Sequence, residues 1–209
     1  MRIGHSPHSS MQHLNGNLLC AVDVETTGLI AGTHDIVQIA ILPLDAHIKP
    51  LQTVMPFYIN MKPKRLENVD KMASKIHRIN MAKLIIEGFD AFKAADMLDE
   101  WFERLRLPVG KKIVPLAHNW VFDRSFIIEW LGPLSFEHLF DWRYRDSMVA
   151  ASFVNDRCDH HNERYAYPKL SLSYCCTQLR VNNINPHDAL SDCAATAEVY
   201  RRQLLEFVP

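Results

Sequence analysis

Apolar residues follow two different rhythms along this chain. Up to about residue 60 they form short, nearly unbroken runs; beyond residue 66 they return every three to four positions. The runs over 18–24 (LLCAVDV), 35–42 (DIVQIAIL) and 52–60 (QTVMPFYIN) predict three strands, the first continuous enough to be central in its sheet. Gly28, Gly32 and a loop over 45–50 separate them, and gaps this short suit antiparallel hairpins. Farther on, Phe89, Phe92, Leu98, Trp101, Phe102 and Leu105 fall on one stripe of a helix. Residues 112–117 (KIVPLA) give a short strand. Asn119 then stands where it can cap a helix reaching about Leu131, with Phe122, Phe126, Ile127 and Trp130 inward. A fifth strand is expected over 139–145, then helices from Asp146, over 170–179 and over 188–205. In the last helix the run Cys193-Ala194-Ala195-Thr196-Ala197 has no bulky side chain, so that helix can lie close against a sheet. The sum is an α/β fold: a mixed five-stranded sheet, three antiparallel N-terminal strands, and helices on both faces.

Composition narrows the class. With 209 residues and 48% hydrophobic content the chain supports one domain, expected over 17–209, preceded by a loose polar arm over 1–16. No apolar run approaches the roughly 18 to 20 residues a membrane span needs, and the polar N-terminus lacks the core of a signal peptide. The five cysteines, Cys20, Cys158, Cys175, Cys176 and Cys193, are odd in number and mostly inside apolar patterns, as expected of reduced thiols in a cytoplasmic protein. Cys158, His160 and His161 could be read as zinc ligands, but no paired C-x-x-C stands near them, and a polar loop is the expected reading. A net charge of −1 argues against coating nucleic acid through bulk charge. It leaves room for gripping a single end of a strand. Over 61–83 the chain sets seven cations, Lys62 to Lys83, against Glu67 and Asp70.

The chemistry lies in misplaced acids. In CAVDVETTGL, Asp23 and Glu25 interrupt a buried run, and their i, i+2 spacing puts both on one face of a strand. Asp123 falls in the first turn of a helix between Phe122 and Phe126, and Asp192 near the start of the last helix. Alone, either could simply favour a helix N-terminus. Converging with Asp23 and Glu25, they make four carboxylates that cannot all stay ionised without compensating charge. Two divalent cations would supply it. Mg²⁺, for which Mn²⁺ can substitute, favours such oxygen ligands, and a pair can hold both oxygens of an in-line phosphoryl displacement. His187, five residues before Asp192, adds a group that can accept a proton near neutral pH, a histidine's ordinary pKa being roughly 6.5.

The stretches DVETTGL, HNWVFDRSFI and HDALSDCAAT resemble, in order and spacing, the three motifs of the DEDD exonuclease superfamily. The H-x-x-x-x-D form of the third resembles its histidine-type branch, DEDDh, with the ribonuclease H-like fold; the resemblance covers about residues 17–205. It implies a 3′-to-5′ exonuclease in which Asp23, Glu25 and Asp192 hold one metal, Asp23 is shared with a second, Asp123 holds that second one, and His187 is the general base. It implies substrate contacts at Thr26, Thr27, Leu29, His77 and Asn119. Core packing is the other reading of Leu29. The segment IHRIN over 76–80 resembles the family's histidine-glycine-isoleucine segment, with Arg78 standing where glycine is common. Asp146-Ser147 resembles a recurrent pair and is expected to be structural.

Three functions compete at this stage. The first is a metal-dependent exonuclease releasing nucleoside 5′-monophosphates from single-stranded or frayed DNA or RNA 3′ ends. The second is a binding module to which a polymerase partner delivers the end; the third is an inactive member of the fold, disfavoured by the intact set of five residues. Several relatives of this fold are homodimers, but no feature of the sequence marks an interface.

Overall fold

The longest apolar run becomes the central strand, β1 (Leu18–Thr26), in which every residue is buried except the half-buried Asp23 and Glu25. The computed structural model, which describes residues 11–206, sets β2 (Ile36–Pro43) and then β3 (Phe57–Asn60) on one side of it. On the other side lie β4 (Ile113–Ala117) and β5 (Arg145–Asp146). β2 runs antiparallel to both β1 and β3, whereas β4 and β5 run parallel to β1, giving the order β3-β2-β1-β4-β5. This is the mixed five-stranded, ribonuclease H-like sheet expected.

Helices α1 (Lys71–His77), α2 (Met81–Glu87) and α3 (Ala91–Arg104) follow β3; α4 (Trp120–Leu131) and α5 (Pro133–Leu139) follow β4. Then come α6 (Ser147–His160), α7 (Leu172–Gln178) and α8 (Ala189–Glu206). One face of the sheet packs on Leu98, Trp101, Trp120, Phe126 and Ile127 from α3 and α4. The other carries α8, whose Ala189, Cys193 and Ala197 press against Leu19, Ala21, Ala40 and Leu116. The small girdle does what its residues suggest: the Cys193 thiol reaches the Ala40 carbonyl at 3.5 Å, bringing the start of α8 close to the strand ends.

Several boundaries differ from expectation. The third strand was expected over 52–60, yet only 57–60 pairs with β2. Pro56 has no amide hydrogen to give, and the Met55 carbonyl is taken by the Trp101 indole at 2.8 Å. The fifth strand shrinks to Arg145–Asp146, because α5 claims the chain through Leu139 and Asp141 folds the next residues back by accepting from the Arg143 amide and guanidinium. Asn119 occupies the N-cap position of α4, but with φ 76° and without a capping bond from its side chain. The Asp146 carboxylate does that work, accepting from the amides of Asn119 and Trp120 as well as from Met148. Phe92, expected on the buried stripe of α3, lies off it and is 81% exposed.

Residues 1–10 of the expected arm lie outside the described residues; of the rest, Leu14 is buried with Leu44 and Ile48, so packing begins before residue 17. All five cysteines are buried and unpaired. Cys158, His160 and His161 form no metal-competent cluster among the described residues. No helix among them is long and apolar enough to cross a membrane.

Candidate active site

Four elements meet where β1 ends. Strand alternation presents Asp23 and Glu25 together, on a segment that is otherwise fully buried. The first turn of α4 brings Asp123, whose Oδ1 accepts from the Val24 amide at 3.0 Å, so this acid is clamped between the two on β1. The first turn of α8 brings Asp192, whose Oδ1 accepts from the Asn183 side-chain amide at 2.5 Å and whose Oδ2 accepts from the His187 backbone amide at 3.1 Å. His187 itself is exposed on the loop before α8, in the left-handed region at φ 68°. Ligand-capable atoms of Glu25, His187 and Asp192 all lie within 4.8 Å of one another.

The electrostatics are those of crowded, desolvated acids. Burial, reinforced by Asp123, Glu25, Asp192 and Asp188, pushes the Asp23 carboxyl well above the usual carboxylate range. Burial together with Asp192 and Asp188 pushes Glu25 up to about 8. Asp123 is raised chiefly by burial, against the pull of the Val24 amide; Asp192 is raised by burial despite the Asn183 and His187 bonds. Each group is penalised for ionising beside the others. A donor set of carboxylate oxygens with one imidazole nitrogen, short of positive charge, fits hard divalent cations.

The remaining expected residues surround this centre unequally. Thr26 is buried and donates from Oγ1 to the Gly28 carbonyl at 2.6 Å. Thr27 is wholly buried: its hydroxyl accepts from the Asp35 amide, its amide donates to the Asp35 carbonyl, and its carbonyl accepts from the Asp70 amide. Its side chain fastens the loop. Leu29 is 77% exposed at the tip, which removes the core-packing reading. His77 is buried with Nδ1 accepting from the Ile79 amide, while Nε2 has no partner. Burial, with His187 nearby, holds the His77 pKa down. The half-buried Asn119 sits beside the start of α4, held by its backbone amide to Asp146.

Sequence reasoning passed over a polar ring behind this centre. The Tyr58 hydroxyl donates to Asp188 Oδ2, Gln38 Nε2 donates to the Tyr58 hydroxyl at 3.0 Å, and Gln38 Oε1 accepts from the Ala189 amide at 2.8 Å. A lone glutamine inside DIVQIAIL was the available signal, since a buried polar group needs partners.

A five-stranded mixed sheet with converging acids at the end of its central strand defines a ribonuclease H-like nuclease. The RNase_T exonuclease family model matches residues 20–200. The chain belongs to that exonuclease family. Oligoribonuclease from Neisseria meningitidis (serogroup A) is 26% identical over 137 residues, covering 62% of this chain and 68% of the relative. That from Buchnera aphidicola is 25% identical over 147 residues, covering 69% and 78%. Among solved structures, the zinc-bound E. coli ExoI–ssDNA complex superposes with a TM-score of 0.73 at 19% identity; the match covers 91% of this chain and only 41% of that longer one. The nuclease domain of 3'hExo, a DEDDh family member bound to rAMP, gives 0.65 at 14% identity, covering 91% and 93%.

Proposed function

We propose that the chain hydrolyses the terminal phosphodiester at the 3′ end of single-stranded or frayed nucleic acid, releasing nucleoside 5′-monophosphates with His187 as general base. The observation that carries this reading is the gathering of Asp23, Glu25, Asp123 and Asp192 at one strand end, with His187 within 4.8 Å of two of the family's acid positions. Asp23, Glu25 and Asp192 would hold one divalent cation, and Asp23 with Asp123 a second. When bound, such a pair neutralises the acids and stabilises charge on the attacking and leaving oxygens.

The residues of the chain supply the rest. His187, fixed from behind by its own amide on Asp192, presents an exposed imidazole that takes the proton of the attacking water. Attack breaks the bond between phosphorus and the 3′ oxygen of the penultimate nucleotide, so the phosphate leaves on the 5′ carbon of the released unit. The exposed Leu29 offers an apolar surface to the terminal base. His77, with a free and buried Nε2, offers a hydrogen bond beside His187.

Time courses on 3′- and 5′-labelled DNA and RNA oligomers, single- and double-stranded, with Mg²⁺, Mn²⁺ or EDTA, test the reading directly. Stepwise shortening of 5′-labelled strands with metal and none with EDTA is expected. Loss of the general base in His187→Ala should slow the wild-type rate by roughly 10²- to 10⁴-fold; full metal-dependent activity in that variant would sink the assignment. The oligoribonuclease relatives favour short RNA and the ExoI complex favours DNA, and the same assay decides between them.

A further inference from the structure

Of the three aromatic residues in α3, Trp101 and Phe102 enter the core and Phe92 does not; its ring is 81% exposed. It is not left bare of chemistry. The Lys64 ammonium stands 5.3 Å from the ring centroid, within cation–π range, and makes no ion pair among the described residues. Lys62 and Lys93 are neighbours of the pair along the chain, two residues before Lys64 and one after Phe92. The nearby acids are committed elsewhere: Asp90 caps α3 through the amides of Phe92 and Lys93, and Asp35 and Glu129 both pair with Arg65. The surface round Phe92 is therefore aromatic with surplus positive charge.

Its position relative to the acids is fixed by hydrogen bonds. Asp35 exchanges backbone and side-chain bonds with Thr27, two residues past Glu25, or about 7 Å along an extended chain. The same Asp35 accepts at Oδ2 from the amides of Lys64 at 2.8 Å and Arg65 at 2.6 Å. His34, Lys62, Lys64 and Ala91, the last next to Phe92, line one small cavity of about 110 Å³. The platform is thus tied through Asp35 to the loop that leaves β1, at the end of the sheet where that strand presents its acids.

We propose that Phe92 and Lys64 form a subsite for a nucleotide upstream of the scissile bond, the base stacking on the ring and a phosphate meeting the ammonium. This inference rests on the exonuclease reading above. A single strand offers both an open base face and a phosphate within one nucleotide, whereas a duplex hides its base faces in the stack. The preferred substrate is accordingly a single-stranded 3′ end longer than a dinucleotide.

Steady-state cleavage and fluorescence-anisotropy binding of 5′-labelled single strands of two to ten nucleotides test it, using wild type, Phe92→Ala, Phe92→Trp and Lys64→Ala. For strands of four or more nucleotides, Phe92→Ala should raise KM and Kd about tenfold at unchanged kcat, the range expected from losing one stacked base. It should leave the dinucleotide unaffected, and Phe92→Trp should restore wild-type values. Lys64→Ala should weaken binding and flatten its salt dependence. An abasic nucleotide at the stacked position should erase the difference between wild type and Phe92→Ala. Equal effects at every length, or none at any, would overturn the subsite while leaving exonuclease action intact. A wild type that neither binds nor shortens any strand would overturn both.

Discussion

The Tyr58 hydroxyl donates to Asp188 Oδ2 at 2.5 Å, tying the edge strand β3 to the residue directly after the candidate base His187. Gln38 closes the ring by donating to that hydroxyl and accepting from the Ala189 amide. The start of α8, and with it the left-handed turn at His187, is held to the sheet from two sides. Tyr58→Phe keeps the ring and removes only the hydroxyl. A hydrogen bond of this kind is worth about 0.5–1.5 kcal/mol net, so kcat should fall roughly two- to tenfold with KM little changed. Asp188→Asn retains an acceptor for Tyr58 and should stay near wild type. A KM effect without a kcat effect in Tyr58→Phe would instead mark Tyr58 as a substrate contact.

Crowding of the acids makes the metal-free protein sensitive to pH. Burial and mutual repulsion raise the pKa values of Asp23, Glu25, Asp123 and Asp192 in the folded state, so their contribution to stability is present below the ordinary carboxylate range and is lost as pH rises through the raised values. His77 and His118 act in the opposite direction, since burial lowers their pKa values and their contribution is lost on acidification below the ordinary histidine range. Above pH about 7 both histidines are neutral folded and unfolded, while Glu25 still titrates near 8. Melting temperature in EDTA should therefore fall from pH 7 to 8.5. Excess Mg²⁺ should raise it, and by more at pH 8.5 than at pH 7. A Mg²⁺ shift that is absent, or largest in acid, would contradict this picture of the site.

Asp123→Asn separates charge from scaffolding. The amide oxygen can still accept from the Val24 amide, so the clamp between α4 and β1 survives while one repelling charge goes. In EDTA at pH 8 the variant should melt higher than wild type, each kcal/mol gained being worth about 2–4 °C in a domain of this size. The Mg²⁺-induced shift should shrink, and hydrolysis should fall by roughly 10²-fold or more, since metal-held charge stabilisation amounts to several kcal/mol. Lower stability in EDTA would mean that Asp123 is chiefly a structural acceptor.

The contrast between what could and could not be read in advance follows from range of interaction. Asp23 and Glu25 were legible because two charges break a run whose other members are all buried, and strand periodicity fixes their common face. The cradle of small residues at Cys193–Ala197 was legible for a similar local reason. Phe92 was misread: at 3.6 residues per turn it lies half a turn round α3 from Trp101, so the helical period itself places it off the stripe of Leu98, Trp101, Phe102 and Leu105. The third strand was drawn too long because the Met55 carbonyl is claimed by Trp101, 46 residues away. The ring behind His187 depends on Gln38 meeting Ala189 across 151 residues. No window of sequence contains that pair.

Arg78 tests whether a departure from the usual pattern is costly or useful. It terminates α1 at φ 57° and ψ 15°, a left-handed position that glycine occupies without a steric penalty. The exposed Arg78 follows His77 in the chain, and His77 has an unpartnered Nε2 and feels the charge of His187. Arg78→Gly relieves the side chain's strain, and the folded state should gain roughly 0.5–1 kcal/mol after glycine's own entropic cost, seen as a melting rise of about 2 °C. A cation at this rim, next to the entering strand, should in turn favour the phosphates of the substrate. The same variant should then bind oligonucleotides several-fold more weakly, with a shallower salt dependence. Greater stability with unchanged binding would make Arg78 a tolerated imperfection in the turn; weaker binding makes it the reason that glycine is absent.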